Sequence, residues 1–193
     1  MLKVIFFGDS LFAGYGLSDP SRESIPALIG EKLKKKGLNY GTINAGVSGD
    51  TTTSALSRLD RVLKEDMAIF ILELGANDFL RGINPALVTA NLQAIINKVE
   101  SACPSASILL LGIELPVWAN EAHSTGYGII FSQLAKKNGI ALVPSFLKNV
   151  SGHRELNMPD GVHPLKKGYQ IAAENIWPEL HRIIRERETD QTT

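Results

Sequence analysis

Five strand-like segments recur along this chain, Leu2 to Phe7, the short Tyr40 to Asn44, Met67 to Leu74, Ser107 to Ile113 and Ile140 to Pro144, and they read as continuous apolar runs rather than alternating ones except at the short second segment. A strand with one wet face alternates apolar and polar residues, whereas a strand covered on both faces does not. The runs are therefore expected as parallel strands between two layers. The intervening segments carry apolar residues at helical spacing. Ile25, Leu28, Ile29 and Leu33 form one stripe, and Leu56, Leu59, Val62 and Leu63 a second. Val88, Leu92, Ile95, Ile96 and Val99 form a third, Tyr127, Ile130, Phe131 and Leu134 a fourth, and Tyr169, Ala172, Ile176, Leu180 and Ile183 the last. This alternation predicts a three-layer α/β/α sandwich, with five parallel strands in the order 2-1-3-4-5 joined by right-handed crossovers. The 193 residues fit one domain, at positions 1–185. Residues 186–193, in a stretch rich in Arg, Glu and Thr, are expected to fray.

Composition excludes several function classes. Lys plus Arg and Asp plus Glu both number 20, so the chain lacks the positive excess of a broad nucleic-acid surface. Every apolar run is far shorter than the roughly 20 residues needed to cross a bilayer. The apolar stretch at the N-terminus is also shorter than a signal-peptide core of roughly 7–15 residues. The chain as it stands is expected in the cytoplasm, or in the periplasm or medium if a leader has been removed. A single cysteine, Cys103, rules out an intrachain disulfide and reads as a small, partly buried hydrophobe.

In open parallel sheets, sites form outside the carboxyl ends of the strands, near the point where strand order reverses. That rule directs attention to the turns at Gly8, Asn44, Gly75 and Glu114. Ser10 follows the first strand, with Gly14 and Gly16 beyond it for a tight turn. By itself Ser10 reads equally as a helix cap. A nucleophilic hydroxyl needs a base, and His163 is the candidate. Pro164 disfavours helical geometry at His163 and suits the first position of the last helix. Asp160, three residues earlier, can turn back and accept from the imidazole, fixing its tautomer. The bland alternative is Asp160 capping a turn and His163 idle on the surface.

Acyl transfer also needs donors aimed at a developing oxyanion. The Ser10 N–H, the Gly49 N–H and the Asn77 side-chain amide are available on turns at the same sheet edge, although Gly49 and Asn77 also fit ordinary turn roles. Asp9 and Asp78 read as turn-shaping residues. Glu73 sits inside an apolar run, where a carboxyl has to be hydrogen-bonded or protonated, and reads as an anchor beneath the site.

Four ordered stretches carry a family resemblance: Gly8-Asp9-Ser10-Leu11, the glycine of Asn44 to Thr51 at Gly49, Gly75-Ala76-Asn77-Asp78, and Asp160-Gly161-Val162-His163. Together they resemble the conserved blocks of the SGNH/GDSL hydrolases. Within that family the chain more closely resembles the bacterial branch of arylesterases, acyl-CoA thioesterases and lysophospholipases, and the resemblance runs from Val4 to about Leu180. The resemblance implies a flavodoxin-like SGNH hydrolase fold with Ser10 as nucleophile, His163 as base and Asp160 as orienting acid. It implies oxyanion donors at Ser10, Gly49 and Asn77, and a small-molecule ester as substrate. No cofactor and no metal are expected. Phe79, Leu80, Leu115, Val117 and Trp118, on two loops flanking the cleft, are candidate acyl-groove residues.

Two rival readings start from the same residues. Asp9, Asp50, Asp78 and Asp160 lie at strand ends and could gather around Mg²⁺ in a metal-dependent phosphatase or phosphotransferase, which would leave His163 and Asn77 without a role. A non-catalytic flavodoxin-like binding domain would want a phosphate-cradling Gly-rich loop, and neither standard spacing is present.

Overall fold

The computed structural model describes residues 1–113 and 126–190. Five strands, β1 (Leu2–Gly8), β2 (Tyr40–Gly46), β3 (Ile69–Leu72), β4 (Ser107–Leu111) and β5 (Ala141–Val143), form one sheet in the order β2-β1-β3-β4-β5. Every pairing is parallel. The helices among the described residues are α1 (Ser10–Ala13), α2 (Pro20–Glu23), α3 (Ile25–Lys35), α4 (Thr52–Val62), α5 (Ala76–Leu80), α6 (Pro85–Ala102), α7 (Tyr127–Asn138) and α8 (Lys166–Asp190). The expected architecture and strand order are both present. None of the helices among the described residues is long and apolar enough to cross a membrane.

The continuous apolar runs have the cause the sequence pointed to. Successive side chains leave a strand on opposite faces. Val4 and Phe6 join Ile69, Ile71, Leu109 and Leu111 in a core with residues of α3 and α8. Ile5 and Phe7 join Phe70, Leu72, Ile108 and Leu110 in a second core with α4, α6 and α7. Both faces of the central strands β1, β3 and β4 are dry, whereas β2, at the sheet's edge, is only partly covered and carries Thr42 and Asn44. Each large apolar side chain taken from water contributes roughly 1.5–3 kcal/mol.

Boundaries differ from the sequence reading for local reasons. β2 runs on to Gly46 because it stays in register with β1, pairing Gly46 with Gly8. β3 is shorter than the apolar run, yet its flanks keep ladder bonds: Ala68 N donates to Lys3 O at 2.9 Å and Glu73 N to Phe7 O at 3.0 Å. On α4 the fully covered positions are Thr52, Ala55 and Leu59, while Leu56, Val62 and Leu63 are partly covered. The one-turn helices α1, α2 and α5 are too short to show a period. The last helix starts at Lys166, not Pro164. Pro164 instead bridges antiparallel to Asn157, and Leu165 N donates to Leu156 O at 2.7 Å. At its far end α8 continues through residues 186–190, where Arg187 donates to Ser105 O at 2.6 Å.

Candidate active site

β1 ends at the reversal of strand order, between β2 and β3, and the chain turns there into α1. Asp9 caps that helix by accepting from Leu11 N at 3.0 Å. Ser10 is the first helical residue, so its N–H has no acceptor within the helix. Its side chain is nearly buried, and its Oγ lies 2.9 Å from His163 Nε2.

His163 is held by its own loop. Asp160 Oδ1 accepts from Val162 N at 2.9 Å and His163 N at 3.0 Å, while Oδ2 lies 2.8 Å from His163 Nδ1. The His163 carbonyl accepts from Met158 N at 2.8 Å. An ionised Asp160 has no proton to give, so Nδ1 carries the hydrogen and donates; Nε2 is then the acceptor for the Ser10 hydroxyl. Burial pushes Asp160 upward, but the bonds from His163 and Val162 outweigh it and hold the carboxyl below its ordinary range. The Tyr15 ring lies against the imidazole, with centroids 4.5 Å apart. Tyr15 was not singled out in the sequence, because an exposed aromatic after a glycine carries no signal of what it will touch.

The three candidate oxyanion donors converge on this edge in different states. Gly49 adopts φ +83°, a conformation that side-chain-bearing residues rarely take. The Asn77 amide is engaged: Nδ2 donates to Asp9 Oδ2 at 2.9 Å and to Asp50 O at 3.0 Å. Asp50 is fixed by Arg58, whose Nε lies 2.5 Å from Asp50 Oδ2 and whose Nη2 donates to Gly8 O at 3.0 Å. The guanidinium also sits over the Phe7 ring, 4.2 Å from its centroid. Arg58 thus ties the Gly49 turn to the end of β1. Nothing in the sequence set Arg58 apart from Arg61 on the same helix.

Two carboxyl groups lie beneath the nucleophile. Asp9 is buried, and burial raises its pKa to about 6 against the Leu11 N–H and the attraction of His163. Its Oδ1 is 3.4 Å from Ser10 Oγ, a longer contact than the one to His163. Glu73 is fully buried; Oε2 accepts from Asp9 N at 3.2 Å and Oε1 has no hydrogen-bond partner. Burial first and the neighbouring Asp9 second push Glu73 well above the usual carboxylate range.

The carboxylates of the metal reading have other partners. Asp78 spends both oxygens on Thr52, at 2.8 Å to its N and 2.6 Å to its Oγ1. Asp50 is spent on Arg58 and Ser54, and Asp9 on Leu11 and Asn77. Among the described residues no three acidic, His or Cys side chains group as a metal would require.

Of the candidate groove residues, Phe79 packs edge-on against Tyr127 at 5.2 Å between centroids, and Leu80 is exposed. Leu115, Val117 and Trp118 lie outside the described residues.

Comparison with known proteins gives concordant likenesses. Residues 6–171 match the GDSL-like Lipase/Acylhydrolase family. The chain is 35% identical over 182 residues to esterase TesA of Pseudomonas aeruginosa, covering 94% of this chain and 89% of that protein. It is 34% identical to an arylesterase of Vibrio mimicus, covering 92% and 88%. It is 32% identical to thioesterase 1/protease 1/lysophospholipase L1 of Escherichia coli, covering 94% and 84%. The crystal structure of TesA superposes with a TM-score of 0.88 at 34% identity, over 94% of this chain and 99% of that one.

Proposed function

We propose that this chain, which belongs to the GDSL-like lipase/acylhydrolase family and is a carboxylic ester hydrolase, works by two-step acyl transfer through Ser10. The observation that carries the reading is the unbroken line Ser10 Oγ, His163 Nε2, His163 Nδ1, Asp160 Oδ2, with contacts of 2.9 Å and 2.8 Å. His163 takes the hydroxyl proton as Ser10 Oγ attacks the ester carbonyl. Asp160 stabilises the imidazolium that forms. The oxyanion is received by the Ser10 and Gly49 N–H groups and by the Asn77 amide, which gives up part of its present bonding to do so. His163 then protonates the leaving alcohol or thiol, and water, activated by the same imidazole, releases the acid.

Substrates are short to medium acyl esters with tolerant leaving groups: aryl esters, thioesters and lysophospholipids. The relatives named arylesterase and thioesterase/lysophospholipase support that range.

The test is Ser10→Ala assayed on p-nitrophenyl acetate, beside fluorophosphonate labelling of the parent. The variant is expected to lose nearly all turnover and all labelling. Full activity in Ser10→Ala ends the assignment. Chelation is expected to leave the parent rate unchanged, and a metal-restored loss would revive the phosphatase reading. A chain-length series peaking above about twelve carbons would contradict the small apolar site assumed here.

A further inference from the structure

We propose that Glu73 is a positioning residue of this site: a neutral carboxylic acid that holds the Asp9 turn from behind and leaves Asp9 as the single negative charge beneath Ser10. The inference rests on the esterase reading above for its catalytic consequence, but not for the protonation it assigns.

The placement comes first. Glu73 leaves β3 at the strand end next to β1, and its N–H is bonded to Phe7 O at 3.0 Å. Its Oε2 then receives the N–H of Asp9, the residue immediately before the nucleophile, at 3.2 Å. The side chain lies so close to β1 that a Cβ at Gly8 would fall 2.6 Å from both Glu73 O and Glu73 Oε2. Glu73 therefore holds the nucleophile turn through main chain and side chain together.

The donors decide where the proton sits. Asp9 receives the Leu11 N–H and the Asn77 amide. Glu73 receives one N–H, and Oε1 has none, in a fully buried position. Two adjacent buried carboxyls do not both ionise readily, and the one with fewer donors keeps its proton. The charged and titratable groups around the pair leave this order intact. His163, from its loop, attracts the charge on Asp9. Tyr169, from α8, is pushed upward by burial and by both acids, and its hydroxyl is occupied in donating to Tyr15 O at 2.9 Å. Arg58, from α4, is committed to Asp50 and Gly8 O.

Neutrality has a purpose here. A second negative charge behind Asp9 would oppose the oxyanion that develops beside Ser10 and would push Asp9 away from the Asn77 amide. A neutral acid keeps the grip and omits the charge.

Two variants and two measurements test this. Glu73→Ala is expected to lower kcat on p-nitrophenyl acetate by about tenfold or more with KM little changed, since small displacements of reacting groups are costly. Glu73→Gln, which keeps a neutral side chain of the same shape, is expected to restore kcat to near the parent value. Independently of activity, thermal unfolding of the parent and Glu73→Gln is followed from pH 5 to pH 8. Where native Glu73 keeps the proton that the unfolded chain releases, the parent loses stability as pH rises by a contribution that Glu73→Gln lacks, while the Asp9 contribution is common to both. The Tm advantage of the Gln variant is expected to grow by roughly 3–5 °C for each pH unit. A Tm difference independent of pH overturns the neutral assignment. A Gln variant as slow as Ala, or an Ala variant as fast as the parent, overturns the positioning role. If Ala does not fold, Glu73→Leu, which keeps bulk without the bond, takes its place with the same outcomes. A parent inactive on every ester would sink the esterase reading and the positioning role with it, while the thermal series would still decide where the proton sits.

Discussion

Ser10 Oγ and His163 Nε2 stand 2.9 Å apart although 153 positions separate them in the chain. Each is fixed from its own side. Ser10 is set by the end of β1 and the Asp9 cap, and His163 by Asp160 and by the bridge between Asn157 and Pro164. The contact therefore reports the closure of the whole sheet onto its last loop.

Asp160→Asn is expected to lower kcat by on the order of 10³–10⁴, because the Asn amide stabilises the wrong imidazole tautomer while leaving the ring in place. KM should change little. Steady-state kinetics on an aryl ester decides it, and a loss confined to KM would contradict the role.

Asp9 gives a pH signature in stability. Its folded pKa is raised from 3.8 to about 6. Between those values the native state holds a proton that the unfolded chain has released, so the parent loses stability as pH rises through that window, by on the order of 3 kcal/mol. Asp9→Asn has no such loss. Its stability relative to the parent, measured by urea unfolding, should climb from about pH 4 to pH 6 and flatten above that. A constant offset would show that Asp9 is not raised.

Gly8→Ala puts a methyl group 2.6 Å from Glu73 O and Oε2 and 2.7 Å from a Phe12 ring carbon. One of the atoms is backbone, so the strand end has to shift. Overpacking of this kind costs about 1–3 kcal/mol, and the displaced turn should lower kcat as well. Denaturant unfolding beside kinetics measures both, and an unchanged variant would mean the close approach is easily relieved.

Arg58→Met leaves the Asp50 carboxylate, which is nearly buried, without its cation. Breaking such a pair from one side costs about 3 kcal/mol. Because Asp50 O also receives the Asn77 amide, kcat should fall more than KM rises. Arg58→Lys should recover only part of the loss, since an ammonium cannot reach Asp50 and Gly8 O with one planar fork. Equal kinetics in all three proteins would remove Arg58 from the site.

Much of this protein was readable from its residues in order. Strands β1, β3 and β4 were legible because burial on both faces writes a continuous apolar run, and the long helices because their covered faces recur at 3.6 residues. The link between Asp160 and His163 was legible because three residues in one turn can touch whatever surrounds them. The start of α8 was misjudged at Pro164, where a bridge to Asn157 overrode a local helix preference. The short helices were missed because one turn has no period. Arg58 and Tyr15 were missed because each acts on a residue brought to it by the fold.

Sequence by itself determined the layers and the identities of the groups at the sheet's edge, which follow from hydrophobic period and neighbouring residues, while the strand order was an expectation from right-handed crossovers. Only the tertiary structure decided which of those groups meet, that Asn77 rests on Asp9 and Asp50, and that buried Glu73 meets Asp9 with one backbone donor and an unpartnered Oε1. The physical reason is that hydrogen-bond reach and the loss of water around a carboxyl depend on every segment that packs against it, and those segments are distant in the chain.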